Sequence, residues 1–240
     1  MVDTSTLTTL NRQAGLLKEI ETVAHNIANM STDGFRREGI VFSEYVVNTG
    51  DDSPSLSLAH ANGRVIDQTQ GSLMQTNGSF DFAIEGPGFF LIATPDGDRL
   101  TRAGSFTPSP EGVLVAPDGA ALLDAGGAPV FVPAGAAQIA LGADGTLSAD
   151  GNPIAQIGLW QPADPTTMTR AEGVRFDPGV PPVPNEDARI LQGFVERSNV
   201  DPVNEISRMI EVQRAYELGT TFLDREDERV RAAIRAIGQQ

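Results

Sequence analysis

The chain has 240 residues, of which 40% are hydrophobic, and this is enough apolar material for a folded core. Its 17 basic and 32 acidic residues give a net charge of −15, which argues against binding to nucleic acid or to an anionic membrane surface. The absence of cysteine excludes disulfides, thiolate metal sites and cysteine nucleophiles.

The negative charge is concentrated in the middle of the chain. Residues 49–189 contain six basic and 17 acidic residues, whereas residues 1–48 and 190–240 each have a balance of −2. The simplest interpretation is that the acidic residues keep the protein soluble. The alternative is that the acidic part faces outwards while the near-neutral ends contact other chains. No run of about 18 apolar residues predicts a membrane-spanning helix, and we expect no cleaved signal peptide, because the charged and apolar regions of such a signal are lacking.

The first predicted element is a helix over residues 5–30. Small or apolar residues recur in a 3–4 alternation with Glu21 as the polar break: Leu7, Leu10, Ala14, Leu17, Ala24 and Ala28. This pattern predicts a heptad seam. Ile20, Val23 and Ile27 widen the apolar stripe, as expected if more than one neighbour packs on the helix. Asp33-Gly34 predicts its end.

Two asparagines, Asn26 and Asn29, lie near the end of this helix, and Phe35, Arg36 and Arg37 follow. Asparagine competes for backbone hydrogen bonds, so the pair indicates polar contacts, although cap chemistry explains at least one of them. Because the same stretch carries a seam that needs another chain, we interpret Asn26, Asn29 and Phe35 as assembly contacts. The two arginines are predicted to be exposed and to pair with acidic groups on a neighbour.

The middle of the chain predicts a β body of many short strands. Residues 49–70 are polar and turn-rich, which predicts a linker or extended arm. Phe80, Phe82 and Ile84 then alternate with polar or small residues, and further strands are predicted at 89–93, 99–102, 113–115, 130–132, 139–141, 146–148 and 157–160. The pairs between them suit tight turns with positive φ: Asp96-Gly97, Glu111-Gly112, Asp118-Gly119, Asp144-Gly145 and Asp150-Gly151. The Pro-rich residues 162–188 predict a return arm.

The chain is predicted to close with a short strand at 190–195 and a second helix that begins at Asp201-Pro202. A second heptad seam contains Ile206, Met209, Tyr216, Leu223, Val230, Ile234 and Ile237, with Gln213, Thr220 and Asp227 at the alternate positions. Polar seam positions favour a specified register or several partners. The sequence therefore predicts an α+β fold in which N- and C-terminal helices, paired as in a coiled coil, bracket a mainly β central domain.

We find no signature of catalysis, and we expect no enzyme activity, no cofactor and no metal. His25 and His60 are the only histidines, no cluster has metal-ligand spacing, and no G-x-S-x-G motif is present. Strand-spaced aromatics could line a ligand groove, but in a β body they are far more often core: Phe80, Phe82, Phe89, Phe90 and Phe106.

Three ordered segments carry recognisable motifs. Residues 28–37 read ANMSTDGFRR, residues 82–90 and 101–106 read FAIEGPGFF and TRAGSF, and residues 193–203 read GFVERSNVDPV, followed by Met209-Ile210 and QRAYE at 213–217. They resemble, in turn, the ANxxTxGF(K/R) signature, the central GxGFF...YTRxGxF segment and the C-terminal SNVDPVxExxxMIxxQRAYE block of the bacterial flagellar axial proteins of rod and hook. Leu100 stands where the central segment usually has tyrosine.

This resemblance implies a structural subunit of the flagellar basal-body rod. The length and the single β body are similar to the rod proteins and not to the longer hook protein. The proximal-rod type is favoured over the distal-rod type, because AQIGLW at 155–160 and DREDER at 224–229 resemble it, whereas the distal type usually ends in a DQMLQ-like segment. A soluble ligand-binding β domain with helical dimerisation ends is the other alternative.

The resemblance also implies partners and a location. Such proteins pass through the flagellar export apparatus without signal cleavage and assemble with copies of themselves and other rod proteins into a helical tube across the periplasm. We expect neither nucleic acid, membrane insertion nor a small-molecule substrate. The predicted division is an N-terminal helix of an inner axial layer (1–35), an extended arm (36–70), a β-rich outer domain with its return arm (71–189), and a strand and helix of the inner layer (190–240).

The predicted assembly interface combines the two seams with the terminal motifs. Its residues are Leu7, Leu10, Leu17, Ala24, Asn26, Ile27, Asn29, Gly34, Phe35, Ser198, Asn199, Val200, Ile206, Met209, Gln213, Arg214, Tyr216 and Leu223.

Overall fold

The structure is a computed structural model that describes the backbone of residues 4–47 and 56–237 and the side chains of residues 6, 8–41 and 63–237. The chain divides into two compact units. Unit 1 takes in the described parts of Met1–Ala28, Glu38–Val65 and Asp201–Gln240, and unit 2 consists of Asn29–Arg37 and Ile66–Val200. Each unit is therefore built from segments that are distant in sequence. The boundaries predicted at 35/36, 70/71 and 189/190 stay a prediction about the assembled tube.

Unit 1 contains two long helices and a two-stranded sheet. Its elements are α1 (Thr4–Ala28), β1 (Glu38–Val47), β2 (Leu56–Ile66) and α2 (Pro202–Ile237). Both predicted helices are confirmed, although α1 ends at Ala28, before the end predicted at Asp33-Gly34. Pro202 occupies the first position of α2, and the Asp201 carboxylate accepts hydrogen bonds from the backbone N–H groups of Val203 (2.9 Å) and Asn204 (3.2 Å), as an N-cap should.

The predicted linker or extended arm at 49–70 contains an unpredicted strand, because β2 (Leu56–Ile66) lies in that segment and pairs with β1. Whether this ribbon acts as an extended arm stays a prediction. Residues 49–55 of the prediction lie outside the described residues. A two-stranded ribbon is held by backbone hydrogen bonds, so it forms with few large apolar side chains, and those side chains were the signal used to predict strands.

Unit 2 is built mainly from short antiparallel strands. The largest sheet has seven strands in the order β14-β15-β6-β5-β9-β8-β7, and smaller sheets pair β10-β11-β12, β13-β16, β17-β4 and β18-β3. The strands are β3 (Leu73–Gln75), β4 (Phe82–Glu85), β5 (Phe90–Thr94), β6 (Gly97–Thr101), β7 (Thr107–Pro108), β8 (Leu114–Val115), β9 (Ala121–Leu122), β10 (Ile139–Leu141), β11 (Thr146–Ala149), β12 (Asn152–Gln156), β13 (Trp160–Gln161), β14 (Thr169–Arg170), β15 (Arg175–Asp177), β16 (Val183–Pro184), β17 (Arg189–Gln192) and β18 (Phe194–Glu196).

The large sheet has an apolar cluster on each face. Phe90 and Ile92 of β5 enter one cluster, whereas Phe89 and Leu91 enter the other, as the two-residue period of a strand requires. Phe82 and Phe106 join the first cluster, and Phe80 packs against it. The interpretation of the five phenylalanines as core is therefore confirmed.

The predicted return arm at 162–188 is wrong for its central part. β15 is hydrogen-bonded to β6, with Phe176 opposite Leu100, and Met168 and Phe176 are buried in the second cluster. In the sequence, these two buried residues stand among prolines and polar residues, so no apolar pattern marks the segment as part of the core. The strand predicted at 130–132 is also absent: Pro129 and Phe131 form only isolated bridges, because the flanking Pro129 and Pro133 lack an N–H group.

The acidic-Gly turns confirm the prediction of positive φ. Gly97, Gly112, Gly119 and Gly145 have φ between 86° and 106°. Asp150 (49°) and Gly151 (82°) form the two-residue loop that joins β11 to β12, which is the conformation that an Asp-Gly hairpin favours. The strand predicted at 190–195 is split into β17 and β18 by Gly193, whose φ is 77°.

Candidate assembly interface

The two helices of unit 1 pack antiparallel, and polar contacts between them set their register. Gln13 donates from Nε2 to the Tyr216 carbonyl (2.8 Å), and Glu19 lies one and a half turns further on against Arg208, with Nη2–Oε1 at 2.5 Å. A Cβ atom at Gly219 would lie 2.2 Å from Gln13 Nε2, so any larger residue there would displace the amide of Gln13 from this position. The hydrogen bond that the Arg208 guanidinium donates to the Glu19 carboxylate raises the pKa of Arg208. These contacts fix how the helices align.

Asn26 joins both helices of unit 1 to its strand β1. Its Nδ2 donates to the Glu38 carbonyl (2.8 Å) and to Glu205 Oε2 (3.2 Å), and its Oδ1 accepts from the Glu38 N–H (3.0 Å). The side-chain amide thus pairs with both backbone groups of one residue, as a neighbouring strand would. Asn26 has 0% exposure, so its contribution to assembly would be indirect, through the helix pair that it holds.

Asn29 belongs to a turn and not to the helix. Its carbonyl accepts from the Thr32 N–H (3.1 Å), and its Oδ1 accepts from the Thr32 hydroxyl (3.2 Å). These contacts place Asn29 in a turn after the helix, and the expectation that cap chemistry explains one of the two asparagines stays a prediction.

The seam predicted on α1 faces away from α2. Leu10 and Leu17 are 50% and 47% exposed, and the other described positions of the seam are also exposed: Ala14, Glu21, Ala24 and Ala28. The side chain of Leu7 lies outside the described residues. The widening residues lie on the adjacent face of the helix: Val23 is buried, and Ile20 and Ile27 are half-buried. Within unit 1, the apolar seam of α1 is therefore available to another chain.

The seam on α2 is only partly covered. Met209, Tyr216 and Leu223 are half-buried beside the buried Val212, whereas Ile206, Gln213 and Arg214 are exposed. Towards the end of the helix, exposure rises to 63% for Ile234 and 76% for Ile237. Gln13 already lies opposite Tyr216, so an antiparallel α1 that begins at Thr4 ends before it reaches the last apolar positions.

In unit 2, a buried carboxylate between two buried arginines links the three sequence motifs. Glu196 binds Arg36 through Oε1 (2.8 Å) and Arg102 through Oε2 (2.7 Å), and all three side chains are 2% exposed or less. Arg102 also donates to the carbonyls of Gly86 (3.1 Å) and Gly88 (2.7 Å). Sequence reasoning missed this cluster, although the opposite charges within the quoted motifs were an available signal.

The prediction that Arg36 is exposed and pairs with a neighbouring subunit is wrong. Its guanidinium binds Glu196 and donates to the Thr69 carbonyl within the same chain. Burial lowers the pKa of Arg36 to about 10, and repulsion from Arg102 acts in the same direction, while Glu196 opposes both. Burial also lowers the pKa of Arg102. Both arginines nevertheless stay charged at neutral pH and need their shared carboxylate.

Gly34 and Phe35 lie beside this cluster. Gly34 has a φ of 73° and donates its N–H to the Glu196 carbonyl (2.7 Å), and a Cβ atom there would lie 2.2 Å from the Ala103 nitrogen. Only glycine fits such a close approach. Phe35 is 1% exposed, and the Arg170 guanidinium lies 4.3 Å from its ring centroid.

The C-terminal motif binds the N-terminal one through Asn199. Its Oδ1 accepts from the Arg37 N–H (2.6 Å), and its Nδ2 donates to the carbonyls of Asp67 (3.1 Å) and Thr69 (2.9 Å). Ser198 is half-buried and Val200 is 7% exposed. In this structure, the motif residues of unit 2 contact their own chain, so any role in assembly would come from the shape that they maintain.

Other kinds of site find no support in the described residues. No group of three or more His, Asp or Glu side chains there has the geometry of a metal site. None of the described helices is both long enough and apolar enough to cross a membrane.

A helix pair with uncovered apolar seams, together with a β unit closed by its terminal motifs, indicates a structural subunit with surfaces for other chains. Residues 7–36 match the family described as flagella basal body rod protein, residues 83–149 the flagellar hook protein FlgE/F/G D1 domain, and residues 191–236 the flagellar basal body rod FlgEFG protein C-terminal family.

The sequence is 38% identical over 235 residues to flagellar basal-body rod protein FlgF of Caulobacter vibrioides and 36% identical over 234 residues to that of Mesorhizobium japonicum, with 96% of both chains covered in each case. Identity to the FlgG rod protein of the same Caulobacter strain is 30%, over 89% of this chain and 91% of that protein.

The chain therefore belongs to the FlgF family of flagellar basal-body rod proteins. It is a structural subunit of the rod in the flagellar basal body, and membership of this family implies assembly with other rod and hook proteins. The distal-rod alternative and the soluble ligand-binding domain are not favoured.

Proposed function

We propose that this chain is a proximal-rod subunit that polymerises, with copies of itself and with other rod proteins, into the helical tube that transmits motor torque. The observation that carries the proposal is the position of the α1 seam. Leu10 and Leu17 remain half exposed although α1 already has a helical partner in α2. A seam that its own chain does not cover indicates a second neighbour.

Burial of the exposed seams would favour association, but the gain from one set of contacts about offsets the cost of ordering. Burying a large apolar side chain contributes about 1.5–3 kcal/mol, so covering the exposed half of one contributes about 1 kcal/mol. Leu10, Leu17, Ile206, Ile234 and Ile237 are each exposed by 47% or more, which gives on the order of 5 kcal/mol for these five alone. This is comparable with the ordering cost of about 2–5 kcal/mol for a segment that folds on binding. Subunits would then add where several neighbours are offered and rarely in solution.

The geometry of such a contact favours a filament. The seam of α1 and the last turns of α2 are different surfaces of one chain, so a contact between them is head-to-tail, and a head-to-tail contact whose rotation does not close produces a helical polymer. Export in an unfolded form through the flagellar export apparatus, without removal of a signal peptide, agrees with the absence of cysteine, since no disulfide would need to be opened.

Electron microscopy of basal bodies from a strain that lacks this chain tests the proposal. We expect the rod to be missing beyond its base and no hook to form, and the length of the remaining stub indicates whether the subunit is proximal. Complete rods and hooks would contradict the proposal.

A seam variant tests the interface itself. Leu17→Glu places a charge in the exposed seam and should abolish motility while the purified chain keeps its helical content. Lys18→Glu is the matched control, because Lys18 is exposed on the same helix outside the seam and should retain motility. Equal loss of motility in both variants would argue against the seam.

A further inference from the structure

A groove on unit 2 leaves the ring of Phe131 exposed to solvent, and we call it the Phe131 groove. Its volume is about 310 Å³, and Phe131 is 52% exposed. Three exposed prolines and two half-buried apolar side chains also line it: Pro108, Pro110, Pro133, Phe80 and Ile139. Grooves lined by aromatic residues are surfaces that bind extended, proline-rich segments.

The backbone holds this groove in shape. The Gly112 N–H donates to the Ser109 carbonyl (2.9 Å), and the Gly112 carbonyl accepts from the Val132 N–H (2.8 Å). Gly112 has a φ of 86°, and a Cβ atom there would lie 2.7 Å from Phe131 Cε2. The exposed ring therefore lies directly against the glycine, and its position does not depend on a partner.

Unit 2 has a second uncovered apolar surface at residues 178–184, PGVPPVP, which we call the proline segment. Val180 and Val183 are each 39% exposed. Apart from Phe131 and these two valines, the described part of unit 2 exposes only two Val, Leu, Ile, Met or Phe side chains, Met30 and Met74. The exposed apolar side chains are therefore concentrated at the groove and at the segment.

The proline segment is ordered before it meets a partner. Proline fixes its own φ at about −65° and restricts the residue before it to extended conformations, so covalent geometry keeps residues 180–184 extended. Hydrogen bonds anchor both ends: the Thr167 hydroxyl donates to the Pro178 carbonyl (3.0 Å), and the Asn185 N–H donates to the Leu159 carbonyl (2.8 Å). A segment that is already extended loses little conformational entropy on binding.

The distribution of charge favours contact between copies at these two surfaces. Residues 49–189 contain six basic and 17 acidic residues, so this part of the chain repels the same part of a second copy. The proline segment contains no charged residue, and Glu111 is the only one that lines the groove. Two copies therefore approach each other at these surfaces with less repulsion than elsewhere.

A chain does not cover its own groove. None of residues 178–184 lines it. The strand that precedes the proline segment, β15, is second in the order of the seven-stranded sheet, and β7, which contains Pro108, is last. Neighbouring strands are about 4.8 Å apart, so five such spacings place these two strands about 24 Å apart. The groove and the segment are therefore separate surfaces of one unit.

We propose that the Phe131 groove of one copy binds the proline segment of a second copy. The valines and prolines of the segment pack on the Phe131 ring and on the prolines of the groove. The contact rests on the proposed function, since assembly of copies brings the two surfaces together, and it joins their β units in addition to the helical seams. Because the two surfaces differ, the contact is head-to-tail. It is small and weak alone, and repetition within a polymer makes it effective.

Cross-linking of a cysteine pair in isolated basal bodies tests the contact. The chain has no cysteine, so Ala134→Cys in the groove and Val180→Cys in the segment supply its only thiols. With both changes in one chain, a short bismaleimide should join copies into dimers and longer products. The matched control pair combines Ala134→Cys with Glu172→Cys, because the Glu172 side chain is 92% exposed and lies outside the proline segment.

The control pair should give about tenfold less cross-linked product. If the chain enters basal bodies but both pairs give the same products, the contact is refuted while the proposed function stands. Absence of the unmodified chain from basal bodies would overturn both.

A peptide probe tests the groove without a polymer. A synthetic peptide of residues 176–186 should bind the full-length chain saturably in ligand-observed NMR. Phe131→Ala, which removes the aromatic anchor, and Ala134→Glu, which adds a charge to the groove, should each weaken binding about tenfold. Glu172→Gln should leave binding unchanged.

A peptide with alanine in place of Pro181 and Pro182 should also bind about tenfold more weakly, because it loses the preformed extended shape. Emission of Trp160, the only tryptophan, verifies that each protein variant is folded. Unchanged binding by folded Phe131→Ala and Ala134→Glu would show that the peptide binds elsewhere, and equal binding of the alanine peptide would show that prolines are not recognised. Either result would refute the assignment.

Discussion

Replacement of Asn26 by alanine is expected to destabilise unit 1 strongly. The side chain is 0% exposed and makes three hydrogen bonds, two to the backbone of Glu38 and one to the Glu205 carboxylate. Alanine removes all three at once and leaves the N–H and C=O groups of Glu38 without this partner in a buried position. The loss would therefore act on both helices and on the start of β1.

The magnitude follows from these groups. A buried polar group that loses its hydrogen bond costs about 1–3 kcal/mol, and two backbone groups are affected. The bond to the Glu205 carboxylate, being charge-assisted, adds a contribution of about 1.5–3 kcal/mol, while water that enters the vacated space recovers part of the total. We expect a loss of about 3–5 kcal/mol in the free energy of unfolding of unit 1.

The Asn26→Asp variant keeps the shape of the side chain but changes its hydrogen bonds. Aspartate keeps the acceptor for the Glu38 N–H, but it places an anionic oxygen where Nδ2 now lies 3.2 Å from Glu205 Oε2. Two like charges at that separation repel by about 5 kcal/mol at an effective dielectric constant of about 20. This repulsion raises the pKa of the introduced carboxyl group in the folded state, so the variant's deficit should shrink as pH falls and the protonated group again donates.

Two spectroscopic probes separate the units during urea unfolding. Both described helices lie in unit 1, so far-ultraviolet circular dichroism follows that unit, and Trp160 emission follows unit 2. Asn26→Ala should shift the helical transition more than the emission transition. Asn29→Ala, which affects a half-buried turn residue, should cost no more than about 1 kcal/mol. A loss below 1 kcal/mol in Asn26→Ala, or an aspartate variant that is no worse than alanine at neutral pH, would refute this reasoning.

Three further results are expected from unit 2. Glu196→Gln removes the counter-charge that two buried arginines share and should lower stability by about 3–5 kcal/mol in Trp160 emission. Arg197→Gln, which affects a pair about 40% exposed, should lower it by less than about 1 kcal/mol; equal losses would contradict the burial argument. Gly34→Ala should be much more destabilising than Gly119→Ala in the same assay, because both have positive φ but only Gly34 meets another backbone; similar values would mean that the backbone approach is relieved easily. Hydrogen bonds lower the pKa of Asp144, so the stability that its carboxylate contributes is present above the ordinary pKa of 3.8 and is lost as pH falls through the lowered pKa. Asp144→Asn should therefore flatten this part of the acid-unfolding curve. An unchanged curve would exclude the contribution.

The fold was predictable wherever one local pattern dominated. The helices, the alternation of β5 and the five acidic-Gly turns follow from periodicity and backbone preference, and the structure confirms them. Residues 162–188 were not predictable in this way, because the information lies in two buried side chains, Met168 and Phe176, among prolines and polar residues. The strand β2 was also not predictable from a local pattern, because pairing with β1 determines it more than its own side chains do.

The sequence predicts which residues form the candidate interface, but it does not predict which side of the helix faces other chains. The sequence shows one widened apolar stripe on α1, and periodicity alone does not indicate which part of it packs within the chain. In the structure, the part at Val23 and Ile27 packs inwards, and the seam with Leu10 and Leu17 faces outwards. Arg36 illustrates the opposite error, because a charged residue after a turn was assumed to be exposed while its carboxylate partner lies 160 positions later. Partners this distant in sequence leave no local pattern.

The division between polar and apolar contacts gives a physical reason why one chain can serve a helical polymer. Contacts that fix the subunit are directional: the amide of Asn26, the pair of Glu19 with Arg208, and the cluster around Glu196 each require one geometry. The surfaces left for neighbours, at Leu17 and Ile234, are apolar, and burial of apolar area is non-directional. Under the proposed assembly, units that are each fixed internally meet neighbours whose contacts differ slightly around a tube, and non-directional seams accommodate such differences. Polar seam positions such as Glu21 and Gln213 would then restrict how far each helix can slide.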